Sequence, residues 1–310
     1  MKNLTKVETI EYSGWKSLRL SSPELEAIVT LDVGPRVIRL AVPGRKNVFA
    51  EFPDQKGIKQ GQEWLSFGGH RLWHAPEVFP RTYETDFDPV PYNVAGGTLQ
   101  LRPKTERGTG LRKEIDISLE GNQVRLVHRL VNESVWDVEV AAWCLSVMAP
   151  GGTLYVPQEP YFPHPDVLTP ARPLVLWPFT NMADPRFTWG EKLIQMREPG
   201  GVTKQKFGLA NSLGWAAYHV EGDLFLKTFP HITGAIYPDL GCNCEFFTMP
   251  GFLEVETLGP LVRLAPGKAL VHEENWKLVP NFSVPADENK AKQALEASLA
   301  NLPIPTGASK

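Results

Sequence analysis

Two short stretches of the sequence combine residue types that carry out acid–base chemistry. Residues 68–77 place two histidines, an arginine, a tryptophan and a glutamate within ten positions. Residues 252–257 contain Glu254 and Glu256, which alternate with apolar side chains. Because residues two apart in a strand face the same side, we expect the two carboxylates to project together, where their repulsion raises the pKa of at least one of them in a sheltered site. The competing interpretation is the solvent-exposed face of an amphipathic strand.

In the first stretch, His70 and Arg71 are the strongest candidates for chemistry. Histidine has an unperturbed pKa close to neutrality, so His70 is a candidate proton donor. The guanidinium group of Arg71 offers planar, paired donors for hydroxyl or carboxylate groups. The alternative for His70 is a structural histidine bonded to loop backbone, and His74 has a weaker case for a role in a site.

Metal binding by His70, His74 and Glu77 is an alternative that the local sequence disfavours. Two histidines four residues apart share a face only on a helix. Glycines at positions 68 and 69 precede them and Pro76 follows, so a stable helix is not expected there. We therefore expect neither a metal nor another cofactor.

The elements that position these residues are predicted to be β-strands. The chain has 26 glycines and 28 prolines in 310 residues, which indicates many turns and few long helices. About sixteen short segments read as strands, whereas residues 52–96 and 149–191 show no lasting period and are expected to be irregular. A helix is predicted only near the C-terminal end, at about residues 285–302. These features predict an all-β fold, a large antiparallel β-sandwich with a short C-terminal helix, formed as a single domain over residues 1–310.

The composition argues against several classes of partner. The net charge is −3 and the sequence has no dense basic run, so we expect no nucleic-acid partner. No window approaches the roughly 20 apolar residues of a membrane span, and the start of the chain lacks the apolar core of a signal peptide. We therefore expect a cytoplasmic protein without a membrane partner. An odd number of cysteines, three in all, predicts reduced thiols.

Four segments, taken in order, resemble the galactose-mutarotase-like superfamily, the aldose 1-epimerase-like proteins. They are a strand, glycine turn and return strand at residues 26–40, the Phe-Gly-Gly-His-Arg-Leu segment at residues 67–72, an asparagine at a hairpin at Asn132, and closing strands at residues 245–267. The order of these motifs carries the resemblance, which lies closer to a separate branch than to the true mutarotases. It implies a supersandwich of large, curved sheets with a sugar cleft.

The resemblance also implies residue roles. The family's catalytic base maps to Glu256, and its substrate-binding arginine maps to Arg71. The strand that normally bears the family's acid histidine has Trp143 in its place, and an indole does not donate a proton as an acid does. His70 is the expected replacement acid.

A carbohydrate ligand is the partner that the resemblance implies. The C–H faces of sugars stack on aromatic rings, and Trp64, Trp73, Trp177 and Trp189 all lie in the two irregular stretches, where side chains often line pockets. Lys227 lies between apolar neighbours in a strand, and Asp239 lies at a turn where it is equally well explained as a cap. The expected substrate-binding residues are Arg71, Trp73, Glu77, Glu254, Lys227, Asp239, Trp64 and His74.

The expected function is that of a carbohydrate-binding, sugar-active protein of the aldose 1-epimerase type. Glu256 and His70 are its expected catalytic pair, acting by general acid–base catalysis at the anomeric centre. The alternative is a non-catalytic carbohydrate-binding protein on the same fold. A polysaccharide lyase or hydrolase fits less well, because no long helical partner domain is predicted. The protein is expected to be a monomer or a homodimer.

Overall fold

The computed structural model describes residues 5–307. The first four residues, part of the stretch predicted to lack the apolar core of a signal peptide, lie outside the described range. Within this range the chain forms two large sheets, and every pairing between neighbouring strands is antiparallel. The strands in chain order are β1 (Lys6–Tyr12), β2 (Trp15–Ser21), β3 (Glu26–Thr30), β4 (Arg36–Ala41), β5 (Gly69–Ala75), β6 (Tyr92–Ala95), β7 (Thr98–Leu101), β8 (Leu111–Glu120), β9 (Gln123–Asn132), β10 (Val138–Met148), β11 (Thr153–Pro157), β12 (Leu174–Leu176), β13 (Phe187–Trp189), β14 (Leu193–Arg197), β15 (Gln205–Leu209), β16 (Trp215–Val220), β17 (Asp223–Thr228), β18 (Cys244–Met249), β19 (Phe252–Leu258), β20 (Val262–Leu264) and β21 (Ala269–Val279).

Helical structure is sparse among residues 5–307. Two 3₁₀ turns lie at Pro53–Gln55 and Arg81–Tyr83, and α1 (Pro238–Gly241) is a single turn. The predicted C-terminal helix is confirmed as α2 (Glu288–Ser298). Its N-terminus is capped by Asp287, whose side chain accepts a hydrogen bond from the Lys290 backbone N–H at 2.9 Å, as expected for an aspartate at this position.

The first sheet has the strand order β1-β2-β3-β4-β5-β10-β19-β18-β15-β12, with β20 pairing with β10. The second sheet has the order β13-β14-β11-β16-β17-β21-β9-β8-β7-β6. The main apolar core lies between the two sheets and includes Leu72, Leu126, Phe225 and Phe246. This arrangement is the antiparallel β-sandwich that the sequence predicts.

Each sheet also buries part of its outer face. On the second sheet, Ala291 and Leu295 of α2 pack against Trp215 and Leu226, so the helix covers that side. On the first sheet, a separate apolar cluster is centred on Trp73, Trp143 and Leu258. The outer face of the first sheet is therefore the side on which polar residues and aromatic rings meet.

The two stretches expected to be irregular contain strands. β5 lies inside residues 52–96 and forms the centre of the first sheet between β4 and β10. Three further strands, β11, β12 and β13, lie inside residues 149–191. The expectation was wrong for β5 because this strand is buried on both faces, so it shows no polar–apolar alternation. No helix within residues 5–307 is long and apolar enough to cross a membrane.

Candidate functional site

The alternation of β5 divides the first chemical stretch between two environments. Leu72 belongs to the core between the sheets, and His70 and His74 share its side of the strand. Arg71 and Trp73 project from the opposite, outer face, where Trp73 packs in the cluster with Trp143. Neighbours in sequence are thus separated by the thickness of a sheet.

Cross-strand register extends the Arg71 side of the sheet across three more strands. Arg71 is opposite Leu145 of β10, Leu145 is opposite Glu256 of β19, and Glu256 is opposite Glu245 of β18. Residues directly opposite in an antiparallel pair share a face. One arginine and two glutamates are therefore aligned across the outer face of the first sheet.

Above this row lies a cavity of about 370 Å³. Its walls are mainly aromatic, and its charged groups are an arginine, two lysines and two glutamates. This combination of apolar walls with a few convergent polar groups is typical of small-molecule sites. The lining residues are Trp64, Ser66, Arg71, Trp73, Glu77, Tyr83, Trp143, Leu145, Trp177, Phe179, Lys204, Lys206, Phe247, Phe252 and Glu254.

Glu254 is the less exposed of the two carboxylates that line this cavity. Its side chain is 12% exposed, and its Oε1 lies 3.3 Å from Nη2 of Arg71. Burial raises the pKa of Glu254 to about 7, against the opposing effect of Arg71 and with a further upward contribution from Glu256. The guanidinium group of Arg71 is held over two indoles, with Cζ 4.5 Å from the ring centroid of Trp73 and 5.3 Å from that of Trp64. Glu254 is therefore positioned to gain and lose a proton near neutral pH.

Glu256 lies beneath the cavity wall and is fully buried. Its Oε2 accepts a hydrogen bond from Nε1 of Trp143 at 2.8 Å and another from Nζ of Lys206 at 3.1 Å. The same ammonium group lies 2.7 Å from Oε2 of Glu245. Burial raises the pKa of Glu245 well above its usual value. Burial alone would lower the pKa of Lys206, but the carboxylates of Glu256 and Glu245 raise it.

The structure brings five of the residues predicted from the sequence to the cavity, namely Trp64, Arg71, Trp73, Glu77 and Glu254. Glu77 is exposed and accepts a hydrogen bond from the phenol of Tyr83, which places it at the rim. Trp177, another tryptophan of the irregular stretches, also lines the cavity.

His70 and Glu256 do not share a pocket, which corrects the expected acid–base pair. His70 is fully buried and faces the interior of the sandwich, where its Nδ1 lies 2.9 Å from Oγ of Ser146. Glu256 projects from the other face of the same sheet. The strand periodicity that pairs Glu254 with Glu256 also separates His70 from both carboxylates.

Lys227, His74 and Asp239 also lie away from the cavity lining. Lys227 is fully buried between the sheets, with Nζ 3.0 Å from Oε1 of Glu274. His74 is fully buried on the inner face, and burial lowers its pKa to about 2. Asp239 is half-buried in the α1 turn with a φ of 49°. Trp189 packs against the main core instead of lining the cavity.

The interior polar residues form a hydrogen-bonded chain whose proton positions follow from its acceptors. The backbone carbonyl of His272 only accepts, so Nδ1 of His128, at 3.2 Å, donates to it. Nε2 of His128 is then the acceptor for Nε2–H of His70 at 2.8 Å. Nδ1 of His70 in turn accepts from the hydroxyl of Ser146. Both rings are neutral in this arrangement.

Glu274 is the single carboxylate of the interior network. It accepts hydrogen bonds from Nζ of Lys227, Nε1 of Trp276 and the hydroxyl of Thr257. The Thr257 hydroxyl lies 3.0 Å from Nε2 of His272. The ring nitrogens are close enough to Glu274 to hold an ion. However, both Glu274 oxygens already accept hydrogen bonds and Lys227 balances its charge, so the donor set fits a closed network better than a metal.

Sequence reasoning missed Lys206 and Glu245 and gave Trp143 no role beyond replacing a histidine. Lys206 lies in β15 between residues that face the core, and that alternation was a usable signal for an outward-facing cation. Two of the three phenylalanines that line the cavity, Phe247 and Phe252, lie in strands and gave no such signal. Apolar residues at alternate strand positions are normally core residues.

Comparison with known proteins identifies the class of fold. Neither the family models nor the curated proteins contain a match to this sequence. Among solved structures, a putative aldose 1-epimerase from Klebsiella pneumoniae is 11% identical, with a TM-score of 0.57 over 98% of this chain and 90% of that one. A galactose mutarotase related enzyme from Lactobacillus acidophilus is 9% identical, with a TM-score of 0.51 over 90% of this chain and 99% of that one.

A third similar structure is a TPR-domain-containing protein from Parabacteroides distasonis. It is 14% identical with a TM-score of 0.58, and the match covers 88% of this chain but only 50% of that chain, about half its length. At these identities the likeness concerns the fold. The chain therefore has the galactose-mutarotase-like fold, as the order of its sequence motifs predicted.

Proposed function

We propose that the cavity on the outer face of the first sheet binds a carbohydrate and catalyses proton transfer at its anomeric centre, a reaction of the aldose 1-epimerase type. The observation that carries this proposal is the environment of Glu254. Its carboxyl group lines an aromatic cavity, and burial raises its pKa to about 7. A general base works best when its pKa lies near the working pH.

Glu254 takes the role that the sequence resemblance gave to Glu256. Glu256 is bonded to Trp143 and Lys206 and lies outside the cavity lining, so a ligand in the cavity meets Glu254 first. In the proposed reaction the Glu254 carboxylate removes the proton of the anomeric hydroxyl. Arg71, bonded to the same carboxylate, holds it in place.

The aromatic walls support a sugar as the ligand class. Trp64, Trp73 and Tyr83 form one packed group, with centroid separations of 5.0 to 5.5 Å. Phe247 and Phe252 form another at 6.0 Å. Flat apolar surfaces of this kind accept the C–H faces of a pyranose, while the charged groups between them accept or donate hydrogen bonds to its hydroxyls.

A non-catalytic carbohydrate-binding protein is the second candidate. The observation that favours it is the position of His70, the expected acid, which faces the interior instead of the cavity. On this alternative the same walls bind the sugar, and no anomer exchange is accelerated.

The test is NMR exchange spectroscopy of anomers on a panel of neutral, acidic and phosphorylated aldoses. Wild type is expected to accelerate exchange of at least one sugar, and Glu254→Gln is expected to lower that rate about 10² to 10⁴-fold, the usual contribution of a general base. Glu120→Gln, at an exposed position on β8, is the matched control. Saturable binding without accelerated exchange would favour the second candidate, and an unchanged rate in Glu254→Gln would remove Glu254 as the base.

A further inference from the structure

Lys206 is a cavity residue with an unused hydrogen-bond donor. An ammonium group has three N–H donors. Two of them are directed to Oε2 of Glu245 at 2.7 Å and Oε2 of Glu256 at 3.1 Å. Within residues 5–307 the third N–H has no protein acceptor, and Lys206 lines the cavity. We infer that Lys206 is the electrophilic group of the site, and that its third N–H binds the sugar ring oxygen on which negative charge develops.

This inference rests on the proposed function and supplies the group that stabilises the leaving ring oxygen. The indole N–H of Trp143, which stands in the strand expected to carry an acid, is already bonded to Glu256. Arg71 is bonded to Glu254 through Nη2 and has partnerless donors at Nε and Nη1, but it lies directly beside the base. Lys204 lies at an exposed rim position. Lys206 is therefore the cation of the cavity wall that has a free donor and does not contact the base.

The register of the first sheet places Lys206 and Glu254 on opposite sides of one binding surface. Lys206 is opposite Phe247, and Phe247 is opposite Glu254, so all three project from one face. Two strand spacings separate the base from the cation, about 10 Å between their backbones. Phe247 lies between them in the cavity lining, where a sugar ring stacked on it would have Glu254 on one side and Lys206 on the other.

The surroundings of Lys206 keep its charge fixed. Its Nζ lies 5.0 Å from the ring centroid of Trp143 and 4.6 Å from that of Trp177. The carboxylates of Glu256 and Glu245 raise its pKa, so the group is an ammonium ion at neutral pH. A cation that is already oriented needs no reorganisation when charge appears on a nearby oxygen, which is the condition for strong electrostatic stabilisation.

In the ring-opening step Glu254 takes the proton of the anomeric hydroxyl, and the electron pair of that O–H bond forms the C1=O double bond. The bond between C1 and the ring oxygen breaks, its electron pair moves to the ring oxygen, and the third N–H of Lys206 stabilises the negative charge there. A water molecule gives the ring oxygen a proton, and Glu254 returns its own proton to the hydroxide that remains. After rotation about the C1–C2 bond, ring closure on the other face of the carbonyl reverses these transfers.

The experiment compares two variants that differ only at position 206. Lys206→Met alone leaves Glu245 and Glu256 without their cation and is at risk of misfolding. The reference is therefore Glu245→Gln/Glu256→Gln, and the test variant adds Lys206→Met to it. Circular dichroism and thermal unfolding establish that both are folded, and anomer exchange is then measured on the sugar that wild type turns over.

We expect the triple variant to have a kcat about 100-fold or more below that of the double variant, as for the loss of one oxyanion donor, with KM changed only a few-fold. Lys206→Arg in the wild-type background is expected to retain part of the activity, because it keeps the charge. Equal kcat values in the double and triple variants would overturn the role of Lys206 and leave the proposed function intact. Absence of exchange by wild type on every sugar would overturn both.

Discussion

Glu254 has a pKa near neutrality because two opposing effects nearly balance at its carboxyl group. Burial destabilises the carboxylate, and the negative charge of Glu256 adds to this effect. Arg71 stabilises the carboxylate at 3.3 Å, through a guanidinium group that is itself held against Trp73. The pKa of Glu254 is therefore held down mainly by Arg71, with a smaller contribution from Lys206.

Replacing Arg71 is expected to shift the pH dependence of catalysis. Without the cation the pKa of Glu254 rises above its present value of about 7, so the basic form appears only at higher pH. Arg71→Met is expected to lose activity at pH 7 and to regain part of it by pH 9, whereas Arg71→Lys keeps the charge and the original midpoint. The measurement is kcat/KM for anomer exchange against pH. A midpoint that moves down or stays fixed in Arg71→Met would contradict this account of the carboxyl group.

At the scale of residues, the sequence predicts which side chains share a face but not which of them meet the ligand. Alternation in β19 correctly places Glu254 beside Glu256. The groups that bury Glu256 come from elsewhere, since Lys206 is 50 positions away and Trp143 is 113 positions away. No local pattern carries that information, because strand pairing over such distances is decided by the packing of the whole sheet.

At the scale of elements, β5 places Arg71 and Trp73 at the cavity, and Gly69 allows β5 to pack closely against β4. Gly69 has a φ of +68°, and a Cβ at this position would lie 2.5 Å from the carbonyl oxygen of Val37 and 2.8 Å from Cα of Ile38. A glycine therefore allows the start of β5 to approach β4 closely. Arg71 and Trp73 follow two and four positions later, so their placement depends on this contact.

Gly69→Ala is expected to destabilise the protein by about 2 kcal/mol or more, from backbone strain at positive φ together with overpacking. The matched control is Gly96→Ala, at a hairpin turn with a φ of +58° and nothing within 4 Å of the added Cβ. The control is expected to cost about 1 kcal/mol, from strain alone. Urea unfolding of the three proteins measures both effects. Equal losses of unfolding free energy in the two variants would mean that the close approach of β5 to β4 does not contribute to the effect of the substitution.

At the scale of the whole molecule, the sequence predicted the β-sandwich architecture but did not predict that β5 and β11 to β13 are strands. The predicted terminal helix is confirmed, and the hairpins of β1 with β2 and of β8 with β9 also follow local rules. β5 and the short strands β11 to β13 do not. β5, β11 and β12 pair only with strands far along the chain, whereas β13 is a three-residue strand that pairs with the neighbouring β14. The prolines, glycines and aromatic residues of these stretches are typical of loops.

The interior histidine network couples the stability of both sheets to pH. His70 comes from the first sheet and His128 and His272 from the second, and all three are at most 2% exposed. Burial lowers the pKa of His128 to about 4 and that of His272 to about 3, and it lowers the pKa of His70 well below its usual value. These rings bridge the two sheets only while they are neutral.

The direction in which stability changes with pH depends on whether the folded or the unfolded state binds more protons. Between pH 6.5 and about 4 the unfolded chain holds a proton on each of these histidines and the folded protein does not. Stability is therefore full above pH 6.5 and falls as the pH drops, by about 1.4 kcal/mol per pH unit for each histidine. Glu274, whose pKa burial would raise but Lys227 lowers, adds to the loss only below about pH 4.5.

His128→Gln is expected to reduce this loss, because an amide both donates to the His272 carbonyl and accepts from His70 without binding a proton. Between pH 6.5 and pH 5 the loss of unfolding free energy is expected to be about 2 kcal/mol smaller in the variant than in wild type. Urea unfolding at the two pH values measures this difference, with His164→Gln, at an exposed loop position, as the control that keeps the wild-type slope. Equal slopes in wild type and His128→Gln would show that His128 takes up its proton in the folded state. The contact between the two sheets would then not depend on a neutral ring at this position.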